Sequence, residues 1–341
     1  MLHFLLMIGV LLVNLGTPDA PDTSSVRRYL REFLMDGRVI DIPYIFRSLL
    51  VNGIIAPFRA PKSAKVYQQL WEHRGSPLKF YGEDNVHDLQ KKLGDQYAVR
   101  LAMRYQNPSM ESVMHEMQLL NLKKLIIIPL FPQYASATTG SVFEKVMDLM
   151  KSWQVMPELK IVNYFYNHPG IAKYFAEKAE NYRKKHSFDH YVFSYHGVPE
   201  RHIKKGDITK QTCSFGTCCD KITDKNHLCY RAQCFETSRL IAKEMGLKPE
   251  EYTTAFQSRL GRDPWLQPYT DETIKKLTKE GKKNVLAFSP AFVADCLETT
   301  IEVGEEYKEL FEENGGQHWQ LVESLNNSKE WVEILKLIVE N

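Results

Sequence analysis

Two doubly wound α/β domains, each built on a four-stranded parallel sheet flanked by helices, are what this 341-residue sequence predicts. Three observations carry that prediction. Short apolar runs alternate with longer amphipathic segments along the whole chain. Several runs, such as Leu125-Ile126-Ile127-Ile128-Pro129-Leu130 and Val285-Leu286-Ala287-Phe288, are almost continuously apolar, as strands covered on both faces are. The strand runs also divide four and four near residue 165, and the halves echo each other. Run 124–130 passes through Pro132 into a polar loop and a helix, and run 283–289 does so through Pro290.

The first strand, 8–14, lies in the apolar run 1–13. That run is shorter than the roughly 20 residues of a membrane span. It lacks the basic start and small-residue cleavage site of a signal peptide. It reads as a buried first strand with a few leading residues, in a reducing, cytoplasmic setting. Helical patterns follow at 24–35, 62–71 and 83–94, then strand 98–104, helix 109–120, strand 124–130, helix 141–151 and strand 159–165. The second half runs through helix 170–184, strand 189–195, helix 234–246, strand 251–256, helix 271–280, strand 283–289, helix 298–313, strand 318–323 and helix 328–340. The expected domains are 7–160, with the C-terminal helix 326–341 packing back on it, and 161–325, which carries His196, a cysteine insert at 207–234 and the Glu298 helix.

Composition narrows the function. Hydrophobic residues are 43% and charged residues 25%, which is ordinary for a globular chain. Lys and Arg total 44 against 42 Asp and Glu, a net +2, so no global field draws nucleic acid. Asn14-Leu15-Gly16-Thr17-Pro18 follows strand one without the glycines of a phosphate-binding fingerprint. No nucleotide cofactor is expected.

In open α/β sheets, ligands bind beyond the carboxyl ends of the strands. Ser194-Tyr195-His196-Gly197-Val198-Pro199 places His196 at such an end. Imidazole is suited to accepting a proton near neutral pH; a hydrogen-bonded turn histidine is the bland alternative. Glu298, Glu302 and Glu306 recur at i, i+4 and i+8 and share one helical face. They form either a solvated acidic face or a path for a divalent cation, Fe(II) being suited to oxygen and imidazole ligands. Arg104-Tyr105, Gln133-Tyr134 with the polar run to Ser141, Phe256-Gln257-Ser258-Arg259 and Asp263-Pro264-Trp265 follow other strands. Together they suit a large, flat, apolar ligand with a polar edge.

Five of the six cysteines fall in one window, Cys213-x4-Cys218-Cys219-x9-Cys229-x4-Cys234. Four thiolates can hold a [2Fe–2S] cluster or a structural Zn ion, and free thiols are the third reading. Adjacent Cys218 and Cys219 are not expected to ligate together. Cys296 stands apart, two residues before Glu298.

Leu12-Val13-Asn14-Leu15-Gly16-Thr17-Pro18, Arg104-Tyr105, Gln133-Tyr134, Thr138-Thr139-Gly140, Ser194-Tyr195-His196-Gly197, Phe256-Gln257-Ser258, Pro264-Trp265 and Leu297-Glu298-Thr299 together resemble the ferrochelatase family, in family order and over nearly the whole chain. The resemblance implies two Rossmann-like domains facing a central cleft, and insertion of Fe(II) into protoporphyrin IX to form haem. Both the porphyrin and ferrous iron are then substrates. It implies that His196 takes pyrrole protons, that Glu298 stands opposite, and that Glu302 and Glu306 extend a proton or metal path. Arg104 and Tyr105 match residues on the metal side of the porphyrin. Arg59, Tyr67 and Ser76 match positions near its edge and propionates, and Tyr134 and Trp265 are expected to contact it. Many members have a histidine where this chain has Cys296. Some members carry a [2Fe–2S] cluster, certain bacterial ones on an internal cysteine group like this one. Residues 26–60 resemble the family's lip, which would rest on the inner face of a membrane; an amphipathic helix pair under the core is the alternative. Coproporphyrin or another tetrapyrrole as substrate, and a non-enzymatic haem- or iron-sensing role, compete with this assignment. Retention of both His196 and Glu298 speaks for an enzyme.

Overall fold

A computed structural model describes residues 7–259, 261 and 263–341; the leading residues expected before the first strand lie outside the described residues. The chain divides into two compact units.

Unit one comprises Met1–Phe131, Ser136–Tyr164 and Asn327–Asn341. In order it carries β1 (Ile8–Gly16), α1 (Thr23–Leu34), α2 (Tyr44–Ser48), a π-helix (Leu49–Ile55), α3 (Ala56–Leu70), α4 (Pro77–Leu93), β2 (Tyr97–Tyr105), α5 (Met110–Leu119), β3 (Lys124–Pro129), a second π-helix (Ser136–Gly140), α6 (Ser141–Met150) and β4 (Glu158–Ile161). The strands are all parallel, in the order β2-β1-β3-β4. Residues Val10 to Val13 of β1 are all fully buried, which is why this strand shows no apolar–polar alternation. One face packs Leu11, Val13 and Ile127 against Met110, Met114, Val142 and Val146. A second cluster gathers Val26, Leu30, Val51, Ala60, Ala64 and Tyr105. Asp22 caps α1 by accepting the N–H groups of Ser24 and Ser25. The chain's last helix, Lys329–Glu340, packs on α4 through its apolar stripe, with Trp331 fully buried.

Unit two comprises Pro132–Ala135 and Phe165–Asn326. It carries α7 (Pro169–Arg183), β5 (His190–His196), α8 (Glu200–Gly206), α9 (Tyr230–Glu244), β6 (Tyr252–Gln257), α10 (Thr270–Lys279), β7 (Asn284–Phe288), a π-helix (Leu297–Glu306), α11 (Tyr307–Glu313) and β8 (His318–Leu321). Its sheet is also parallel, in the equivalent order β6-β5-β7-β8. Val192, Val285 and Ala287 pack on Ile274, Val303, Phe311 and Trp319. The repetition extends to backbone detail. Gln106 after β2 and Ser258 after β6 hold φ of 68° and 64°, left-handed values that side chains rarely adopt. A π-helix follows both β3 and β7.

The expected single α-helix over 298–313 is corrected: it is a π-helix followed by α11, and the Tyr307 N–H closes on the Glu302 carbonyl, i to i+5. A turn widened by one residue still keeps residues four apart near one face, so glutamate spacing reads alike for both forms. Within 26–60, Val26, Leu30, Leu34, Val51 and Ala60 pack in a buried cluster, while Tyr44, Ile45, Phe46, Leu49, Ile54 and Phe58 are 57–74% exposed. Among the described residues, no helix is long and apolar enough to cross a membrane.

Candidate active site

His196 is the last residue of β5, and its placement depends on the glycine after it. The Gly197 N–H donates to the Gln257 carbonyl at 2.9 Å. A Cβ on residue 197 would stand 2.8 Å from that carbonyl oxygen and 3.2 Å from the Trp265 ring. Only glycine lets β5 end this close to β6 and Trp265. The His196 Nδ1 lies 2.6 Å from the Gly197 carbonyl, which only accepts. The neutral ring therefore carries its proton on Nδ1 and offers the Nε2 lone pair. The Trp265 ring centroid is 6.5 Å from the imidazole, and its indole Nε1 is buried without a hydrogen-bond partner among the described residues.

Gln257 links this histidine to the glutamates. It pairs with His196 across β5–β6, and its Oε1 accepts from the buried Ser194 hydroxyl at 2.7 Å. Its Nε2 donates to the Glu298 carbonyl at 2.8 Å and to Glu302 Oε2 at 3.1 Å. Glu302 also accepts from Ser258 Oγ at 2.5 Å and from the Tyr307 hydroxyl at 3.1 Å. The left-handed turn at Ser258 is what brings its hydroxyl to this carboxylate. Glu298 and Glu302 are half-buried and Glu306 is exposed, so the three run from interior to solvent. Partial burial, reinforced by repulsion from Glu302, Glu309 and Glu305, raises the Glu306 carboxyl above its ordinary range. Cys296 is buried at the head of this π-helix. Burial pushes its thiol well up, and the neighbouring Glu298 carboxylate adds to that shift.

In unit one, the expected pair Arg104 and Tyr105 closes on a residue that sequence reasoning passed over. Asp36 Oδ2 accepts from Arg104 Nη2 at 2.7 Å, Tyr105 OH at 2.9 Å and Ser141 Oγ at 2.5 Å. Arg104 Nε donates to Ser141 Oγ at 2.7 Å. Burial works against the Asp36 charge. The Ser141 hydroxyl, the Arg38 N–H, the Arg104 charge and the Tyr105 hydroxyl outweigh it and hold the carboxyl below its usual range. Tyr105 is only 1% exposed. Ser76 is buried, and its hydroxyl accepts from Thr17 Oγ1 at 2.9 Å. Tyr67 is half-buried with its ring edge-on to Tyr29, and Arg59 is exposed. In unit two, the Tyr134 N–H donates to Gln233 Oε1 at 2.6 Å.

None of the five clustered cysteines forms a disulfide. The sulfurs of Cys218 and Cys219 are 3.8 Å apart, and the interaction between Cys219 and Cys229 pushes the Cys219 thiol up and holds the Cys229 thiol down. Burial pushes Cys213 up, with Cys218 and Cys219 adding to the effect, and it pushes the fully buried Cys234 up strongly. This donor set fits a thiolate-held group in its chemistry. Among the described residues, however, no three His, Cys, Asp or Glu side chains are gathered to hold a metal ion, neither here nor at His196, Glu298, Glu302 and Glu306.

Asp36 and Tyr307 escaped selection from sequence, whereas Gln257, Ser258 and Ser141 lie in the polar runs that follow the strands.

The ferrochelatase family profile matches residues 7–341. The chain is 46% identical over 334 residues to the ferrochelatase of Legionella pneumophila (strain Lens), covering 97% of this chain and 98% of that one. It is 42% identical over 325 residues to the ferrochelatase of Coxiella burnetii (strain Dugway 5J108-111), covering 95% and 91%. Among solved structures, SirB from Bacillus subtilis with Fe3+ matches with a TM-score of 0.53 at 9% identity, over 98% of this chain and 95% of that one. At that identity the likeness is one of fold.

Proposed function

The chain belongs to the ferrochelatase family, and from that premise we propose how its residues insert ferrous iron into protoporphyrin IX. It is an enzyme that inserts iron into porphyrin for haem synthesis, with the porphyrin and iron as substrates. A free porphyrin carries two protons on its four inward nitrogens, and both must leave as Fe(II) enters. His196 takes them through Nε2. The observation that carries this reading is the Nδ1 contact to the Gly197 carbonyl, which leaves Nε2 as the basic atom.

Glu298, Glu302 and Glu306 form the route by which those protons reach solvent. Glu302 favours a proton route over a cation site, because its oxygens already accept from Gln257, Ser258 and Tyr307. Arg104, rather than the enclosed Tyr105 hydroxyl, is the group of that pair left to meet the porphyrin. Arg59, Tyr67, Ser76, Tyr134 and Trp265 contact the porphyrin in this reading.

Cys213, Cys229, Cys234 and one of Cys218 and Cys219 would hold a [2Fe–2S] cluster, which supplies one-electron chemistry when bound. Chelation of Fe(II) transfers no electron, so the insertion step does not run through it. The exposed apolar side chains at 44–58, beside Arg47, Arg59, Lys62 and Lys65, fit peripheral contact with an anionic membrane from the cytoplasmic side.

An anaerobic assay with Fe(II) and either porphyrin tests the substrate. Faster turnover of protoporphyrin IX is expected, and faster turnover of coproporphyrin overturns that assignment. Protein isolated anaerobically should show visible iron–sulfur absorption with matching iron and sulfide. A colourless, iron-free sample contradicts the cluster.

A further inference from the structure

The exposed apolar segment that begins at α2 is tied to the Asp36 site by one guanidinium. Asp36 opens a turn. Its Oδ1 accepts the Arg38 N–H at 2.7 Å, and its carbonyl accepts the N–H groups of Val39 and Ile40 at 3.1 and 3.0 Å. At the far end of that turn, the carbonyls of Ile40 and Ile42 accept from Arg47 Nη1 at 3.0 and 3.1 Å. The guanidinium lies against Gly37, where an added Cβ would stand 3.0 Å from Nη1. Packing follows the same line: Val51 is fully buried in a cluster that Leu34, Val39 and Ile40 join. Asn52 Nδ2 also reaches back, donating to Met35 Sδ at 3.9 Å. Arg38 pins the turn from its other side, with Nε on Glu144 at 2.6 Å and Nη1 on Ser136 Oγ at 3.0 Å.

We propose that Arg47 is a positioning residue for Arg104, acting through this turn and Asp36. Both hydrogen bonds of Nη1 go to the turn, and the buried Nε has no partner among the described residues. A guanidinium keeps its charge at every pH the fold survives, so its bonds to the two carbonyls are charge-assisted and permanent. Asp36 stands at the opposite end of the turn, and its Oδ2 accepts from Arg104 Nη2 at 2.7 Å. That ion pair is largely buried, with side-chain exposures of 4% and 14%, so a shift of Asp36 is passed to Arg104. The turn also belongs to the piece that presents Tyr44, Ile45, Phe46 and Leu49 to solvent. One hydrogen-bonded unit therefore sets both the seating of that exposed face and the aim of Arg104.

The inference rests on Arg104 meeting the porphyrin. Arg47→Met keeps an unbranched stem and removes both hydrogen bonds. It should raise KM for porphyrin roughly three- to tenfold, the scale of one hydrogen bond, with kcat unchanged. Hydrogen exchange of the Arg38, Val39 and Ile40 amides should quicken. Arg47→Met combined with Arg104→Leu should be no worse than Arg104→Leu alone, because the first substitution acts only through the second residue. Unchanged KM in Arg47→Met, a loss confined to kcat, or additive losses in the double variant overturn the inference. Wild-type KM in Arg104→Leu overturns the porphyrin contact of Arg104 instead. The exchange of the three amides needs no porphyrin, so it still reports the tie between Arg47 and Asp36 and separates the two failures.

Discussion

Replacing Asp36 tests whether unit one positions Arg104 through a buried charge. The Asp36 side chain is 4% exposed and that of Arg104 is 14%. Asp36→Ala removes the acceptor of four hydrogen bonds, three on Oδ2 at 2.5, 2.7 and 2.9 Å and one on Oδ1 from the Arg38 N–H at 2.7 Å. It leaves a guanidinium largely buried without its carboxylate. Breaking a buried pair from one side costs about 3–5 kcal/mol. Asp36→Asn keeps an acceptor oxygen but loses the charge, and about 1.5–3 kcal/mol is expected. At roughly 2–4 °C per kcal/mol for a unit of this size, the Ala variant should melt about 6–20 °C lower. The pH dependence has a definite sign. The folded carboxyl is held below its unfolded value, so its stabilisation is fully present above an ordinary Asp pKa of about 3.9 and fades as pH falls through the lower folded value. Urea and thermal unfolding of the three proteins at pH 7, repeated in acid, measure both effects. A loss under about 1 kcal/mol for Asp36→Ala at pH 7, or an Asn deficit that does not shrink in strong acid, refutes the reasoning.

Other substitutions test unit two and the apolar stretch. Gly197→Ala should cut kcat more than about tenfold, since its Cβ would press on the Gln257 carbonyl at 2.8 Å and displace His196. Steady-state kinetics with porphyrin at saturation measures it. Glu302→Gln should leave one of three donors without an acceptor, slowing insertion while porphyrin KM holds. A rise in KM alone would remove Glu302 from the proton route. Phe46→Ser with Phe58→Ser should reduce cosedimentation with anionic vesicles and leave turnover of detergent-dispersed porphyrin intact. Equal binding by the double variant would place membrane contact elsewhere.

All eight strands were legible because a parallel sheet covered on both faces demands continuous apolar runs, and β1, β3 and β7 have them. The sequence placed His196 at the end of the β5 run and Glu298 at the head of the helix after the β7 run and its loop, and both stand there. The π-helices were not legible, since their hydrogen bonds shift by one residue without disturbing the spacing of Glu298, Glu302 and Glu306. Asp36 and Ser141 are polar residues 105 positions apart whose pairing exists only once the chain has folded. Tyr230 precedes the helix expected over 234–246 and was not singled out, because its contact with the His196 carbonyl exists only once the chain has folded. Cys296, the residue that departs from the family pattern, is buried beside Glu298, and burial holds its thiol well up.

The central claim is that His196 Nε2 removes the pyrrole protons. Its most direct test is the rate of iron insertion by His196→Ala, measured anaerobically beside wild type, with circular dichroism to monitor the fold. A folded protein that binds porphyrin and forms no haem is the predicted result. Turnover near the wild-type rate would contradict it.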